Sequence, residues 1–359
     1  MDRTTQPTHR FTFAVAYMLV ALVLLSTFMR SGVTGFDGNK MAQVPDMIYG
    51  RAYRPFVYRT LVPTVARVVL HAMPHTMQQG LARSLYANSA VHKLAEASHW
   101  PPDALTAYAV IFALMYLSLI GFAYAIRDLF ESLFASGPLA SGFVGLLALI
   151  GLPPFFYAAY LYDPPDLFLF TLGLALMARR SWEWYMVVFS LASANKETSI
   201  LLTLVFAIHF LRGGAWRRAP YSGLLIAQLA IYAIIQGTIR WAFQDNPGMG
   251  ADFHLFTNLT YLPLYPLPSL LSALAIAWLV TSRWREQPAF LRSAVWIGVP
   301  LFVLTLFMGF LSEFRDYYEV YPILLLLAAY PLLLLFGVPV TVRAEEMPES
   351  ALAEHAPPK

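Results

Sequence analysis

Cysteine is absent from all 359 residues, which excludes disulfides, thiolate metal centres and a cysteine nucleophile. Charge is scarce as well. Asp, Glu, Lys and Arg make up 13% of the chain, about half the share of an average soluble domain. Apolar residues make up 58% and the mean hydropathy is +0.57. This material is spread over about ten continuous segments, so the sequence reads as a polytopic helical membrane protein, not a soluble enzyme with one anchor or a weakly alternating β-barrel. The formal net charge of +3 does not point to a nucleic-acid partner, because the basic residues lie mostly between apolar runs, where membrane topology uses them. The first apolar run lacks a small-residue cleavage pattern and is followed by Arg30, so it reads as a retained span.

A helix needs about 20 apolar residues to cross the hydrocarbon core. Spans are expected at 11–29, 104–126, 138–160, 221–242, 262–281, 294–311 and 320–338. Between Asp163 and Phe210 the pattern is less regular: the basic pair Arg179 and Arg180 precedes an apolar stretch that ends at Arg212, Arg217 and Arg218. Two basic clusters belong on one side of the membrane. Residues 181–211 are therefore expected to enter and return, turning near Asn195, Lys196 and Glu197, with arms of about 14 residues, or ~21 Å. Such short arms imply a thin membrane or a sunken turn. The alternative, one helix of about 46 Å, leaves Lys196 and Glu197 near mid-bilayer at about 2.5–3.5 kcal/mol each.

About ten spans follow, in a single transmembrane domain over 1–340, with a long outer loop at about 30–103 and a disordered cytoplasmic tail over 341–359. The side holding the termini carries Arg3, Arg10, Arg127, Arg179, Arg180, Arg212, Arg217, Arg218, Arg283, Arg285, Arg292, Arg343 and Lys359, and the positive-inside rule makes it the cytoplasm.

That orientation collects acids on the outer side: Asp37 and Asp46, Asp163 and Asp166, Glu197 beside Lys196, and Glu313, Asp316 and Glu319 around Arg315. Ionisable residues at a membrane boundary are candidates for function. Each also has a structural reading. Asp163-Pro164-Pro165-Asp166 suits a helix N-terminus, Asp37 suits a turn bonded to its own backbone, Lys196-Glu197 suits a hairpin turn, and Arg315 and Glu319 suit an i,i+4 ion pair. In the long loop, Arg51, Tyr53, Arg54, Phe56, Tyr58 and Arg59 alternate cations with aromatics ahead of an apolar stretch from Leu61 to Met73. This fits an interfacial helix with snorkelling arginines, or guanidinium forks held at headgroup level to grip a lipid phosphate. His71, His75, His92 and His99 match no tight zinc spacing, and Asn258-Leu259-Thr260 is a weak glycosylation match.

Gly35-Phe36-Asp37-Gly38-Asn39, Tyr58-Arg59-Thr60-Leu61-Val62-Pro63 and Asn195-Lys196-Glu197-Thr198 resemble recurring patterns of bacterial GT-C membrane glycosyltransferases, which run roughly Gly-Tyr-Asp-Gly-Gln, Tyr-Arg-x-Leu-x-Pro and Arg-Glu-Thr. The order of a first span, a long outer loop opening on an aspartate, juxtamembrane helices and further spans is similar too. Asn39 stands where Gln is usual, Lys196 where Arg is usual, and Met41 and Ala42 where aromatics are. The resemblance implies a multi-pass protein of the bacterial inner membrane that transfers a sugar, with inversion, from a polyprenyl-phosphate donor to an acceptor on the outer face. Asp37 would be the general base. Arg54, Arg59, Lys196 and Arg315 would stabilise the leaving phosphate, with Tyr58 against sugar or lipid. Asp163, Asp166, Glu197 and Glu313 would orient sugar hydroxyls or the cations. No cofactor is called for, and a divalent metal is compatible but not demanded. Two other functions fit the composition: a transporter or flippase of lipids or lipid-linked sugars, and a polymerase or ligase of outer polysaccharides. Transporters commonly carry repeats and midplane charges. Neither is evident in the sequence.

Overall fold

The computed structural model describes residues 5–30, 36–156, 160–211, 220–249, 253–261, 267–311 and 313–344. Helix α1 (Thr5–Arg30) is followed by a loop bearing the short α2 (Val44–Ile48), then α3 (Leu61–Ala72), α4 (His75–Ala87) and α5 (Ser89–Ala97). Asn88 caps α5, its side-chain oxygen accepting from the amides of Ala90 and Val91, as an N-cap asparagine does. Arg67 pins α3 to α2 by donating to the carbonyl of Ile48 through two of its nitrogens. This arginine stays largely exposed while its guanidinium is tied to the backbone of α2.

Then come α6 (Leu105–Leu133), β1 (Phe134–Ser136), α7 (Pro138–Ile150), α8 (Asp163–Ala178), α9 (Trp182–Asn195), α10 (Ile200–Phe210) and α11 (Tyr221–Ala242). The remainder is α12 (Leu255–Tyr261), α13 (Leu267–Ser282), α14 (Ala289–Ala294), α15 (Gly298–Met308), α16 (Tyr321–Leu335) and β2 (Val340–Val342). Among the described residues five stretches are long and apolar enough to cross a membrane: Phe11–Met29, Pro102–Leu133, Pro138–Phe155, Tyr221–Ala242 and Ala289–Met308. Their outer faces are apolar: on α11, Ile226, Ile234 and Trp241 are 67%, 67% and 72% exposed. Water would not tolerate such a face on a soluble monomer, whereas lipid does. The protein is an all-helical, membrane-embedded one.

Helix α6 is the centre of the bundle. It buries Ile111, Met115, Phe122, Ile126 and Leu129 and is covered by α1, α7 and α8. Small residues permit the close approach: a methyl group at Gly121 would lie 2.8 Å from the ring of Phe168 on α8, and one at Gly145 of α7 would lie 2.5 Å from the Tyr17 hydroxyl of α1.

The chain reverses between α9 and α10. Trp182, at the start of α9, packs edge-on against Phe206 and Phe210 at the end of α10, with centroids 5.6 and 5.2 Å apart. The two helices therefore form an antiparallel hairpin, broken at extended Lys196 and a short 3₁₀ turn, Glu197–Ser199. The turn is sunken. Tyr232, midway along α11, donates to the carbonyl of Glu197 at 2.9 Å.

The disordered tail expected over 341–359 is instead ordered at its start. Val340–Val342 pairs antiparallel with Phe134–Ser136, and the Arg343 amide donates to the Leu133 carbonyl. Two β-branched valines flanking a threonine suit an extended strand, and Val340 is buried. Residues 345–359 lie outside the described ones.

Candidate functional site

Asp37 follows α1 and sits at φ 66, a left-handed conformation that aspartate adopts more readily than most residues and that clusters at functional sites. Its carboxylate is held from two sides: one oxygen accepts from the Val44 amide and the other from the Tyr108 hydroxyl, both at 2.5 Å. Tyr108 is in turn stacked on Trp100, 4.5 Å between centroids. The backbone bond reaches seven residues ahead, so Asp37 organises the whole loop, not the local turn expected of it. Burial pushes its pKa up to about 6, against the lowering effect of the Tyr108 and Val44 hydrogen bonds.

Asn39 joins this loop to the rest of the site, donating to the Tyr160 hydroxyl at 2.9 Å. Three rings then lie nearly parallel: Phe56 on Tyr160 and Tyr160 on Tyr162, each 5.4 Å apart, at 19° and 17°. Two guanidiniums cover the stack. Arg59 lies 4.4 Å from the Tyr162 centroid and Arg315 lies 4.6 Å from that of Tyr160, within cation–π range. Arg59 also donates to the Tyr162 hydroxyl and to Glu197, both at 2.9 Å. Burial disfavours its charge, but Glu197 and Tyr162 outweigh this and raise its pKa. Arg315 pairs with Glu313 at 2.7 Å.

Beneath this layer Lys196 bridges two acids, with its ammonium 2.9 Å from Asp166 and 2.8 Å from Glu319. The three side chains are 9%, 4% and 0% exposed. Thr198 also donates to Glu319. The pairing expected between Arg315 and Glu319 does not form. Phe314–Tyr317 is a tight 3₁₀ turn and the helix begins only at Tyr321, so the four-residue spacing does not align them on one face. Asp163 is 1% exposed, and neither carboxylate oxygen has a hydrogen-bond partner among the described residues. It is the first residue of α8, with two prolines in the first turn, but Tyr162 holds the N-cap position, so Asp163 starts the helix without capping it.

The residues singled out from sequence thus divide. Arg59, Asp163, Asp166, Lys196, Glu197, Glu313 and Arg315 come together, and Asp37 connects to them through Asn39 and Tyr160. Arg54 and Tyr58 do not join them: Arg54 donates to the Gly248 carbonyl at 2.7 Å, and Tyr58 lies under Arg240, 5.8 Å from its ring centroid. Lys196 is enclosed by its two acids, which fills the coordination expected for phosphate. Sequence reading did not single out Glu319 as a site residue, nor Tyr108, Tyr160 and Tyr162. The only signal for the last two was the tyrosine alternation immediately before Asp163.

No family model, curated protein or solved structure matches this chain. The site must therefore be read from its own chemistry. Among the described residues no group of three or more His, Asp or Glu side chains is arranged to hold a metal. Of the loop histidines, His92 pairs with Glu96 at 3.3 Å. Asn258 is closed to glycosylation: its side-chain nitrogen donates to the carbonyls of Leu306 and Gly309 at 2.9 and 3.0 Å, and its oxygen accepts from the Leu311 amide at 3.1 Å.

Proposed function

We propose that this protein is an integral membrane glycosyltransferase of the GT-C type. It moves a sugar, with inversion, from a polyprenyl-phosphate donor to an acceptor hydroxyl on the outer face of the bacterial inner membrane. In this reading the five long helices are joined by α8, α9, α10, α13 and α16 to make about ten spans, with both termini in the cytoplasm. The observation that carries it is Asp37. A half-buried carboxylate follows the first span, fixed by Tyr108 and Val44, with a pKa of about 6, in the range where a carboxylate serves as a base near neutral pH.

The acceptor O–H gives its proton to Asp37 while its oxygen attacks the anomeric carbon. The bond from that carbon to the phosphate oxygen breaks, and the lipid phosphate leaves with the electron pair. Each carboxylate oxygen has more than one lone pair, so Asp37 can take this proton without releasing Val44 or Tyr108. Arg59 and Arg315 lie nearest to receive the leaving phosphate, but both are paired with carboxylates. Docking the donor exchanges Glu197 or Glu313 for phosphate oxygens, and the freed acids then accept from sugar hydroxyls.

Transfer of radiolabelled sugar from a panel of polyprenyl-phosphate donors, in membranes carrying wild type, Asp37→Asn or Arg59→Ala, tests this. Donor-dependent transfer that disappears in folded Asp37→Asn is the expected result. Transfer that survives in Asp37→Asn refutes the assignment of the base.

One observation favours the transporter reading. The Lys196 triad adjoins Glu197, whose carbonyl is level with the middle of α11, and buried charges at mid-depth suit a translocation path. Translocation of a fluorescent lipid-linked sugar across proteoliposomes, abolished by Lys196→Met and indifferent to Asp37→Asn, would select it.

A further inference from the structure

At the end of the bundle opposite Asp37, the short β1–β2 ladder closes over a cavity of about 190 Å³ between α6 and α7. Two guanidiniums line it. Arg127 of α6 is 16% exposed and gives its Nε to Glu131 at 2.8 Å. Arg343, just past β2, gives its Nε to the Phe134 carbonyl at 3.2 Å and has no acidic partner among the described residues. The cavity lining therefore carries two positive charges, the half-buried Arg127 and the exposed Arg343, against one carboxylate.

Two neutral features add to this. The Ser136 hydroxyl is buried and has no hydrogen-bond partner among the described residues. Helix α7 starts beside it at Pro138 without a side-chain cap, so the positive end of a 13-residue helix faces the same space. An unpaired buried hydroxyl is costly unless a ligand or water completes it. Leu139, which follows the cavity-lining Pro138, and Phe143 one turn on are 56% and 60% exposed on the outward face of α7, an apolar surface on which acyl chains can lie.

We infer that this cavity binds the phosphate group of an anionic phospholipid, with Arg343 and Arg127 on the phosphate oxygens, Ser136 donating a hydrogen bond, and the chains on Leu139 and Phe143. Glu131, itself in the cavity lining, holds Arg127 in place by accepting from its Nε. None of these residues takes part in the transfer chemistry at the opposite end, so the site stands or falls independently of it.

The test is thermal stabilisation of the detergent-purified full-length protein, followed by intrinsic tryptophan fluorescence. Dioctanoyl phosphatidylglycerol, dioctanoyl phosphatidylcholine and inorganic phosphate are titrated separately against wild type, Arg343→Gln, Ser136→Ala and Arg285→Gln. Phosphatidylglycerol is expected to stabilise wild type at lower concentration than phosphatidylcholine. Loss of one charge-assisted hydrogen bond should raise the half-saturating concentration about tenfold in Arg343→Gln, with a smaller rise in Ser136→Ala. Arg285→Gln, an exposed arginine outside the cavity, should respond as wild type. Stabilisation by phosphatidylglycerol alone assigns a lipid headgroup, and stabilisation by inorganic phosphate as well assigns phosphate itself as sufficient. No stabilisation by either, or an equal response in wild type and Arg343→Gln, overturns the site. An Arg285→Gln loss as large as that of Arg343→Gln also overturns it, because general surface charge would then explain the binding.

Discussion

Replacing Lys196 by methionine keeps most of the side-chain volume and removes its charge from between Asp166 and Glu319. The ammonium makes two charge-assisted hydrogen bonds, at 2.9 and 2.8 Å, and all three groups are within a tenth of full burial. Breaking a buried pair by deleting one partner costs about 3–5 kcal/mol, because the remaining charge is left uncompensated. Here two carboxylates are stranded, so the upper half of that range applies. Asp166→Asn leaves the Lys196–Glu319 pair intact and should cost only about 1–2 kcal/mol. By the usual relation between stability and midpoint for a chain of this length, Lys196→Met should lower the thermal transition by roughly 6 °C, and Asp166→Asn by less than half of that. The eight tryptophans make intrinsic fluorescence a suitable readout. Combining Lys196→Met with Asp166→Leu and Glu319→Met should restore much of the loss, since apolar replacement of a whole buried ion group is often neutral or better. A Lys196→Met protein within about 2 °C of wild type, or one more stable than Asp166→Asn, would refute the reasoning.

Asp37 should make both activity and stability depend on pH. As a base with a pKa of about 6, it should leave sugar transfer about tenfold lower one pH unit below that value, which a pH–rate profile would show. The folded state raises this carboxyl above its ordinary value, so it holds the proton more tightly than the unfolded chain does. The favourable contribution is full below the unfolded pKa and is lost as pH rises through about 6; Asp37→Asn should flatten that decline in a pH series of melting curves. The turn between α9 and α10 brings the hydroxyls of Ser193 and Ser199 to 3.2 Å, so Ser193→Cys with Ser199→Cys in this cysteine-free chain should form a disulfide on mild oxidation. A continuous helix would hold these positions a turn and a half apart, and failure to cross-link would favour it. Asn258→Ala should cost about 2–4 kcal/mol by stranding the Leu306 and Gly309 carbonyls and the Leu311 amide; a melting temperature equal to wild type would show that these groups find other partners.

Five of the expected spans were legible because partition between lipid and water is decided segment by segment, whereas at 262–281 and 320–338 the described apolar helices, Leu271–Ser282 and Tyr321–Leu335, are shorter. The run 11–29 needs no knowledge of the rest of the chain to be recognised, and it coincides with Phe11–Met29 of α1. The hairpin was legible for a related reason: two basic clusters and one central Lys-Glu pair constrain a segment too long for one crossing and short for two. Pairing was not legible. Arg315 and Glu319 are neighbours in sequence, yet one takes Glu313 and the other takes Lys196, more than a hundred positions away. Which polar groups meet depends on how α8, α9, α10 and the turn before α16 pack, and that packing rests on contacts such as Gly121 against Phe168, which leave no periodic trace. Tyr108 was hidden inside an apolar run, where it reads as one more core aromatic until Asp37 is placed beside it.

The depth of the charged site follows from lengths alone. Helices α9 and α10 have 14 and 11 residues, or about 21 and 17 Å, against a hydrocarbon core of roughly 30 Å. In the proposed topology, with both arms starting from one surface, they cannot carry their turn to the other, and Lys196 and Glu197 stop inside. An ammonium left there alone would be costly, and the chain meets that demand with Asp166 at the start of α8 and Glu319 ahead of α16. Those helices also begin at this level: Phe168 lies against Gly121 in the middle of α6, placing the first turn of α8 below the outer end of that helix. The segments that start or end at this level therefore bring Lys196, Asp166 and Glu319 together inside the bundle, nearly fully buried. The ammonium and the two acids compensate one another from three separate segments, which is why these charges can lie within the bundle instead of on its rim.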